Sequence, residues 1–219
     1  MFQHIRENVR RLTAEIPAHV TIIAAAKSRT EDEITAAMDA GISIIGENYV
    51  QEAELARRAL SFRGEWHFIG HLQLNKVKKA VELFDLIQTV DSIAIAEAID
   101  RHAYSLNKVV PMLIEVNIAR EPQKNGVLPE SVAEFARSIT ELANLRLSGL
   151  MTMGPLIQPQ ELRPFFASAR RIYEDLQRML LPGTDIRYLS MGMSDSYKVA
   201  IEEGANVVRL GTAIFGPRF

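Results

Sequence analysis

Lys27 closes an apolar run, V-T-I-I-A-A-A (20–26), within the stretch A-A-A-K-S-R-T. An amine at the end of such a run is partly withdrawn from water. Withdrawal disfavours the ammonium and frees the neutral amine to attack a carbonyl carbon. A lone lysine in this place reads first as a solvated residue, so its meaning depends on the residues at the ends of the other apolar runs.

The most informative of these ends is L-S-M-G-M-S-D-S (189–196). Gly192 lets the backbone approach a ligand closely. Ser190 and Met191 precede it, and Ser194 or Asp195 is expected to cap the helix that begins there. Exposed N–H groups and the dipole of that helix suit an anion. The next run leads into V-R-L-G-T-A (208–213), which adds Arg209, Gly211 and Thr212. An acid beside a phosphate would repel it, so the Asp195 side chain is expected to turn away. Together with Lys27, the two loops point to a phosphate site joined to Schiff-base chemistry.

Other runs end in more ambiguous residues. After I-S-I-I (42–45) comes G-E-N-Y, where Gly46 can turn the chain, Asn48 can cap a helix or touch a ligand, and Tyr49 can enter the core. After W-H-F-I (66–69) come His71, Gln73, Asn75 and Lys76, while His67 inside the run reads as a hydrogen-bonded core histidine. Glu115 and Asn117 share one face by strand alternation and suit a buried network or a ligand equally. Met151 and Met153 read as packing residues.

These residues must be positioned by regular elements. Eight short runs qualify as strands: 20–26, 42–45, 66–69, 86–90, 109–116, 145–151, 186–190 and 206–210. They are rich in β-branched residues and mostly apolar on both faces, as in a parallel sheet covered on both sides. Helical periodicity lies between them. Thr30 and Glu33 suit a capping box, and Gly41 suits a helix stop. Asp91 or Ser92 can begin a helix reaching about Asn107, and Pro129 fits a first helical position. The 159–180 segment is helical in period, with its start blurred by Pro164.

Eight strands alternating with helices predict an α/β fold, a TIM (β/α)8 barrel formed by residues 1–219 as one domain. Barrels of this kind often bind phosphate between the loops after strands seven and eight. The tail G-T-A-I-F-G-P-R-F is too short for a full closing helix, so the helical segment 2–15 is expected to supply the missing outer layer. An open doubly wound sheet is the alternative.

Composition narrows the function classes. The 219 residues carry 25 basic and 27 acidic side chains, a formal net charge of −2, so no basic excess points to nucleic acid. There are no cysteines, which excludes disulfides, thiol catalysis and cysteine-bound metal. The amphipathic N-terminus lacks the apolar stretch of a signal peptide, and no run is long enough to span a bilayer. A cytoplasmic protein is expected.

The stretches A-A-A-K-S-R-T, G-E-N-Y-V-Q-E, W-H-F-I-G-H-L-Q-L-N-K, L-I-E-V-N-I, L-S-G-L-M-T-M and L-S-M-G-M-S…V-R-L-G-T-A-I-F-G resemble the pyridoxal phosphate homeostasis protein family, in order over almost the whole chain. These proteins share the barrel of alanine racemases and related fold-type III enzymes. The resemblance implies pyridoxal 5′-phosphate (PLP) bound as a Schiff base on Lys27. It implies cofactor contacts at Asn48, Ser190, Met191, Gly192, Ser194, Arg209, Gly211 and Thr212. In one respect the chain departs from the family pattern, which places an acid where Ser196 stands.

Arg209 matches the arginine that faces the pyridine nitrogen in this fold type. A guanidinium there disfavours protonating the ring, which weakens the ring as an electron sink. With Phe219 directly after the last loop, the C-terminal β domain that covers the cofactor in racemases is expected to be absent. The arginine argues against transaminase-type chemistry, and an open cofactor can exchange with solvent or client proteins; the favoured reading is a non-catalytic PLP carrier in vitamin B6 homeostasis and amino-acid balance. It is expected to be monomeric, with PLP-dependent apoenzymes as the implied recipients. Two other readings are an amino-acid racemase, with Tyr49 or His71 as opposing base, and a Schiff-base aldolase acting on a sugar phosphate.

Overall fold

The computed structural model describes residues 2–60 and 64–217. Helix α1 (Gln3–Glu15) leads into β1 (Thr21–Ala25), α2 (Glu31–Asp39), β2 (Ile44–Glu47), α3 (Val50–Ala59) and β3 (Glu65–Phe68). Then come α4 (Val77–Leu83), β4 (Leu86–Val90), α5 (Ile93–Ser105), β5 (Val110–Val116), α6 (Val132–Thr140) and β6 (Leu145–Thr152). The chain continues through α7 (Arg163–Arg178), β7 (Tyr188–Ser190), α8 (Tyr197–Glu202), β8 (Val207–Leu210) and α9 (Thr212–Phe215). Among the described residues, eight parallel strands close into a barrel in sequence order. Closure comes from β1 pairing β8, with Thr21 opposite Val207 and Ile23 opposite Arg209. This is the (β/α)8 barrel that the alternating runs predict.

Local chemistry sets the helix ends. Thr30 Oγ1 accepts from the Glu33 N–H while the Glu33 carboxylate accepts from the Thr30 N–H, a complete capping box for α2. Beyond that helix Gly41 takes φ 114, which suits glycine. Pro129 opens a 3-10 turn before α6, and Pro164 lies in the first turn of α7, where its missing N–H costs no hydrogen bond.

The short α9 leaves a gap in the outer layer, and α1 covers it. Ile5, Val9 and Leu12 bury the inner stripe of α1, and Asn8 donates to the Ile214 carbonyl at 3.0 Å. The far end of α1 is tied by Tyr197, whose hydroxyl donates to Glu15 at 2.9 Å. No helix among the described residues is long and apolar enough to cross a membrane.

Strand alternation divides the core. Trp66 and Phe68 face the helices, and Phe68 meets Phe84 edge-on at 5.1 Å. His67, between them, faces the barrel axis, where Leu86, Leu113, Met151 and Tyr188 form a small apolar layer. One close approach depends on a missing side chain. Gly149 sits at φ 145, and a Cβ there would come within 1.9 Å of the Tyr188 carbonyl oxygen.

Candidate functional site

A cavity of about 560 Å³ opens where the strands end, lined by Lys27, Asn48, Ser194, Arg209, Gly211 and Thr212 among others. Six of the nine residues expected to contact a ligand therefore share one wall system. Strand order explains the meeting: β7, β8, β1 and β2 are consecutive around the closed barrel, although 185 residues separate Thr212 from Lys27.

Lys27 is held by a tight turn just past β1. The Ala26 N–H donates to the Gly46 carbonyl at 2.9 Å, and the Arg29 N–H returns to the Ala26 carbonyl at 2.9 Å. Ser28 between them adopts φ 59, an uncommon conformation for serine. Its N–H is fixed by the Glu52 carboxylate at 3.0 Å. The turn leaves Lys27 half-buried, with Nζ 5.1 Å from the Tyr49 ring centroid. Tyr49 is thus no core residue. It is 47% exposed and gives the amine an aromatic face.

The end of the cavity where an anion is expected contains Ser194. Its Oγ accepts from the Gly211 N–H at 3.1 Å and from the Ala213 N–H at 3.0 Å. Two accepted bonds leave the hydroxyl proton available to donate. Ser194 therefore braces the start of α9 and does not cap α8. Ser196 holds the N-cap position of α8, and its Oγ accepts from the Met193 N–H at 3.1 Å. Asp195 is exposed and is among the residues that line the cavity.

Arg209 forms the floor. Its side chain is buried, and desolvation pulls its pKa down to about 10, still a cation at neutral pH. It donates from Nη1 to the Ser190 carbonyl at 2.9 Å and to Ser190 Oγ at 2.6 Å, and from Nη2 to the Thr152 carbonyl at 2.9 Å. Those bonds use three of the five N–H donors of a guanidinium. Arg209 is also among the residues that line the cavity. Glu115 is buried near it, with Oε2 lacking a hydrogen-bond partner among the described residues. Desolvation, reinforced by Asp91, raises the Glu115 pKa to about 7.

Three expected contact residues lie beneath the cavity wall. Ser190 is fully buried, with its hydroxyl engaged by Arg209 and Gln88. Met191 is a core side chain whose N–H goes to the Val207 carbonyl at 3.1 Å. Gly192 sits at φ 94, and a Cβ there would meet Ala200 Cβ of α8 at 2.6 Å. Its bare face accommodates the close packing of α8.

Two other expectations change. Gly46 lies within β2 and does not turn the chain; an added Cβ would strike Ile23 and Ile69 at 2.8 Å. The N-cap position of α3 is Tyr49, so Asn48 is no cap and is left to line the cavity. Asn117 folds its own loop, accepting from the Glu121 N–H and donating to the Glu121 carbonyl. His67 is the hydrogen-bonded core histidine expected, joined to Gln88 and Glu65 at 3.0 Å each. Tyr49 and His71 both line a neighbouring cavity of about 340 Å³.

Sequence reasoning passed over Gln88, Thr152 and Glu47. Gln88 had a signal, a lone amide inside L-I-Q-T-V. Glu47 points toward a separate cavity of about 540 Å³ that Ser28 and Glu52 also line. Burial, with Glu52 nearby, raises its pKa to about 8.

The family model for the alanine racemase N-terminal domain matches residues 2–218. A pyridoxal phosphate homeostasis protein of Aquifex aeolicus is 40% identical over 90% of this chain and 86% of its own length. The protein of that name from Escherichia coli K12 is 37% identical over 92% of this chain and 87% of its own. This chain belongs to the pyridoxal phosphate homeostasis protein family.

Solved structures place the family's barrel alongside this one. PipY of Synechococcus elongatus, solved with PLP bound, is 35% identical with a TM-score of 0.89 over 97% of this chain and all of PipY. Without PLP the TM-score is 0.91. Alanine racemase of Clostridium difficile is 15% identical with a TM-score of 0.79, and the match takes in 98% of this chain and 56% of that enzyme. At that identity the likeness speaks for the fold alone.

Proposed function

We propose that this protein holds PLP as a Schiff base on Lys27 and acts as a cytoplasmic, monomeric PLP carrier in vitamin B6 homeostasis, with the whole chain as one cofactor-binding barrel. The observation that carries the reading is one cavity containing an amine, a guanidinium and a serine-braced backbone turn. The relative solved with PLP supports the choice of cofactor.

The residues fit the group chemically. The Lys27 amine can capture an aldehyde, with loss of water. The Ser194 hydroxyl and the first N–H groups of α9 can hold a phosphate. The cavity edge of Arg209 can donate to a ring nitrogen that carries no proton. When bound, the cofactor supplies an aldehyde for capture and a ring able to draw electrons from the captured carbon.

Arg209 limits that second property. A cation facing the ring nitrogen opposes its protonation. Buried Glu115, whose pKa is raised to about 7, is only partly ionised at neutral pH and gives Arg209 an incomplete counter-charge. Of the candidate opposing bases, His71 lines the neighbouring cavity, whereas Tyr49 lies beside Lys27, its ring centroid 5.1 Å from Nζ. The weakened electron sink argues against transaminase-type chemistry, and a chiral assay separates storage from racemisation.

The test uses PLP-loaded protein mixed with a PLP-dependent apoenzyme and an excess of a scavenger for free cofactor. Recovery of apoenzyme activity despite the scavenger supports delivery. Sustained interconversion of L- and D-alanine in a chiral assay would replace this reading with the racemase.

A further inference from the structure

The barrel interior contains a hydrogen-bonded chain that links the cofactor cavity to the opposite rim. Arg209 Nη1 donates to Ser190 Oγ at 2.6 Å. Ser190 Oγ donates to Gln88 Oε1 at 2.7 Å. Gln88 Nε2 lies 3.0 Å from His67 Nδ1. His67 Nε2 lies 3.0 Å from the Glu65 carboxylate. Ser190 and Gln88 are fully buried and His67 is 2% exposed, whereas the Glu65 side chain is 59% exposed at the start of β3.

With the Gln88 amide oxygen turned toward Ser190, each link takes one direction. A guanidinium can only donate, so Ser190 Oγ accepts from Arg209 and commits its single proton to Gln88. The oxygen of that amide is then occupied, and its –NH₂ faces His67. Nδ1 of His67 must therefore be the bare nitrogen, and the ring proton sits on Nε2, aimed at Glu65. An ionised carboxylate only accepts and ends the chain. Aligned hydrogen bonds in a low-dielectric interior polarise one another. The exposed anion at one rim thus supports the buried cation at the other.

We infer that Glu65, His67, Gln88 and Ser190 are positioning residues for Arg209, holding its guanidinium in the orientation that presents its remaining donors to the ring nitrogen of PLP. The inference rests on the proposed function for its ligand, but the chain itself can be tested without any cofactor.

The first measurement is the tautomer of His67 in the cofactor-free protein, read from ¹⁵N shifts of the histidine rings. A neutral ring protonated on Nε2 is expected. A ring protonated on Nδ1 would overturn the chain, whatever PLP does.

The second compares binding of PLP and of its 1-deaza analogue, which has carbon in place of the ring nitrogen. Native protein is expected to prefer PLP. Gln88→Met keeps the volume but breaks the chain, and should weaken PLP binding about tenfold while leaving the analogue nearly unchanged. His67→Gln can still accept on one atom and donate on the other, so it should keep most of the preference, whereas His67→Leu should lose it. Equal weakening of both ligands in Gln88→Met and His67→Leu would overturn the inference in favour of simple packing. If native protein fails to bind PLP, the proposed function fails, and the tautomer alone decides the chain.

Discussion

Lys27 and Arg209 face one cavity from neighbouring strands that close the barrel. The β1–β8 register sets Arg209 opposite Ile23, four residues before Lys27, so the guanidinium lies deeper and the amine nearer the rim. In pyridoxal the aldehyde carbon and the ring nitrogen are para to each other. A site for it needs an aldehyde-capturing group at one end of a ring-sized gap and a nitrogen partner at the other.

In the proposed site the Ser194 hydroxyl and the first N–H groups of α9 hold the phosphate. Ser194→Ala removes an acceptor for two N–H groups and the donor left for an anion. PLP binding should weaken about tenfold, in line with a hydrogen bond to a charged group. Pyridoxal, which has no phosphate, should bind almost as before. Titration of both ligands checks this, and parallel losses would place the phosphate elsewhere.

Gly149 allows β6 and β7 to approach. With φ 145 and a carbonyl oxygen 1.9 Å from the position of an added Cβ, Gly149→Ala must move a strand. A loss of about 3 kcal/mol or more is expected, since both backbone strain and overpacking act. Urea unfolding measures it, and a loss under about 1 kcal/mol would contradict the stated geometry.

Glu47 and Glu115 give the apoprotein a pH-dependent stability. Burial raises their pKa values to about 8 and about 7, against 4.5 for the free side chain. Between those limits the native state binds more protons than the unfolded chain, so stability falls as pH rises. The contribution is complete below about pH 4.5 and gone above about pH 8. The slope is at most about 1.4 kcal/mol per pH unit for each group. Glu47→Gln should flatten thermal stability between pH 6 and 8, as seen by scanning calorimetry at stepped pH. An unchanged slope would show that Glu47 ionises normally.

Much of the architecture was legible because buried parallel strands need apolar residues on both faces. All eight apolar runs became strands, although 42–45 shifted to Ile44–Glu47 and 186–190 shortened to Tyr188–Ser190. Lys27, Asn48, Ser194, Arg209, Gly211 and Thr212 converge because strand ends share one rim. Details that depend on partners far away in sequence were not legible. Ser194 looks like a helix cap in its local context, yet its partners lie 17 and 19 residues on. Gln88 interrupts an apolar run without a visible reason, and its partner Ser190 is 102 residues away. Gly46 and Gly192 look like turn or ligand glycines, but the crowding that requires them comes from Ile69 and Ala200.

The most direct measurement treats PLP-loaded protein with borohydride, which reduces a lysine Schiff base to a stable secondary amine, and locates the modified peptide by mass spectrometry. The proposed site predicts one phosphopyridoxyl group, on Lys27, and none on Lys27→Ala, which should keep its fold. A modification on Lys76, Lys124 or any other lysine of the native protein, or none at all, would contradict it.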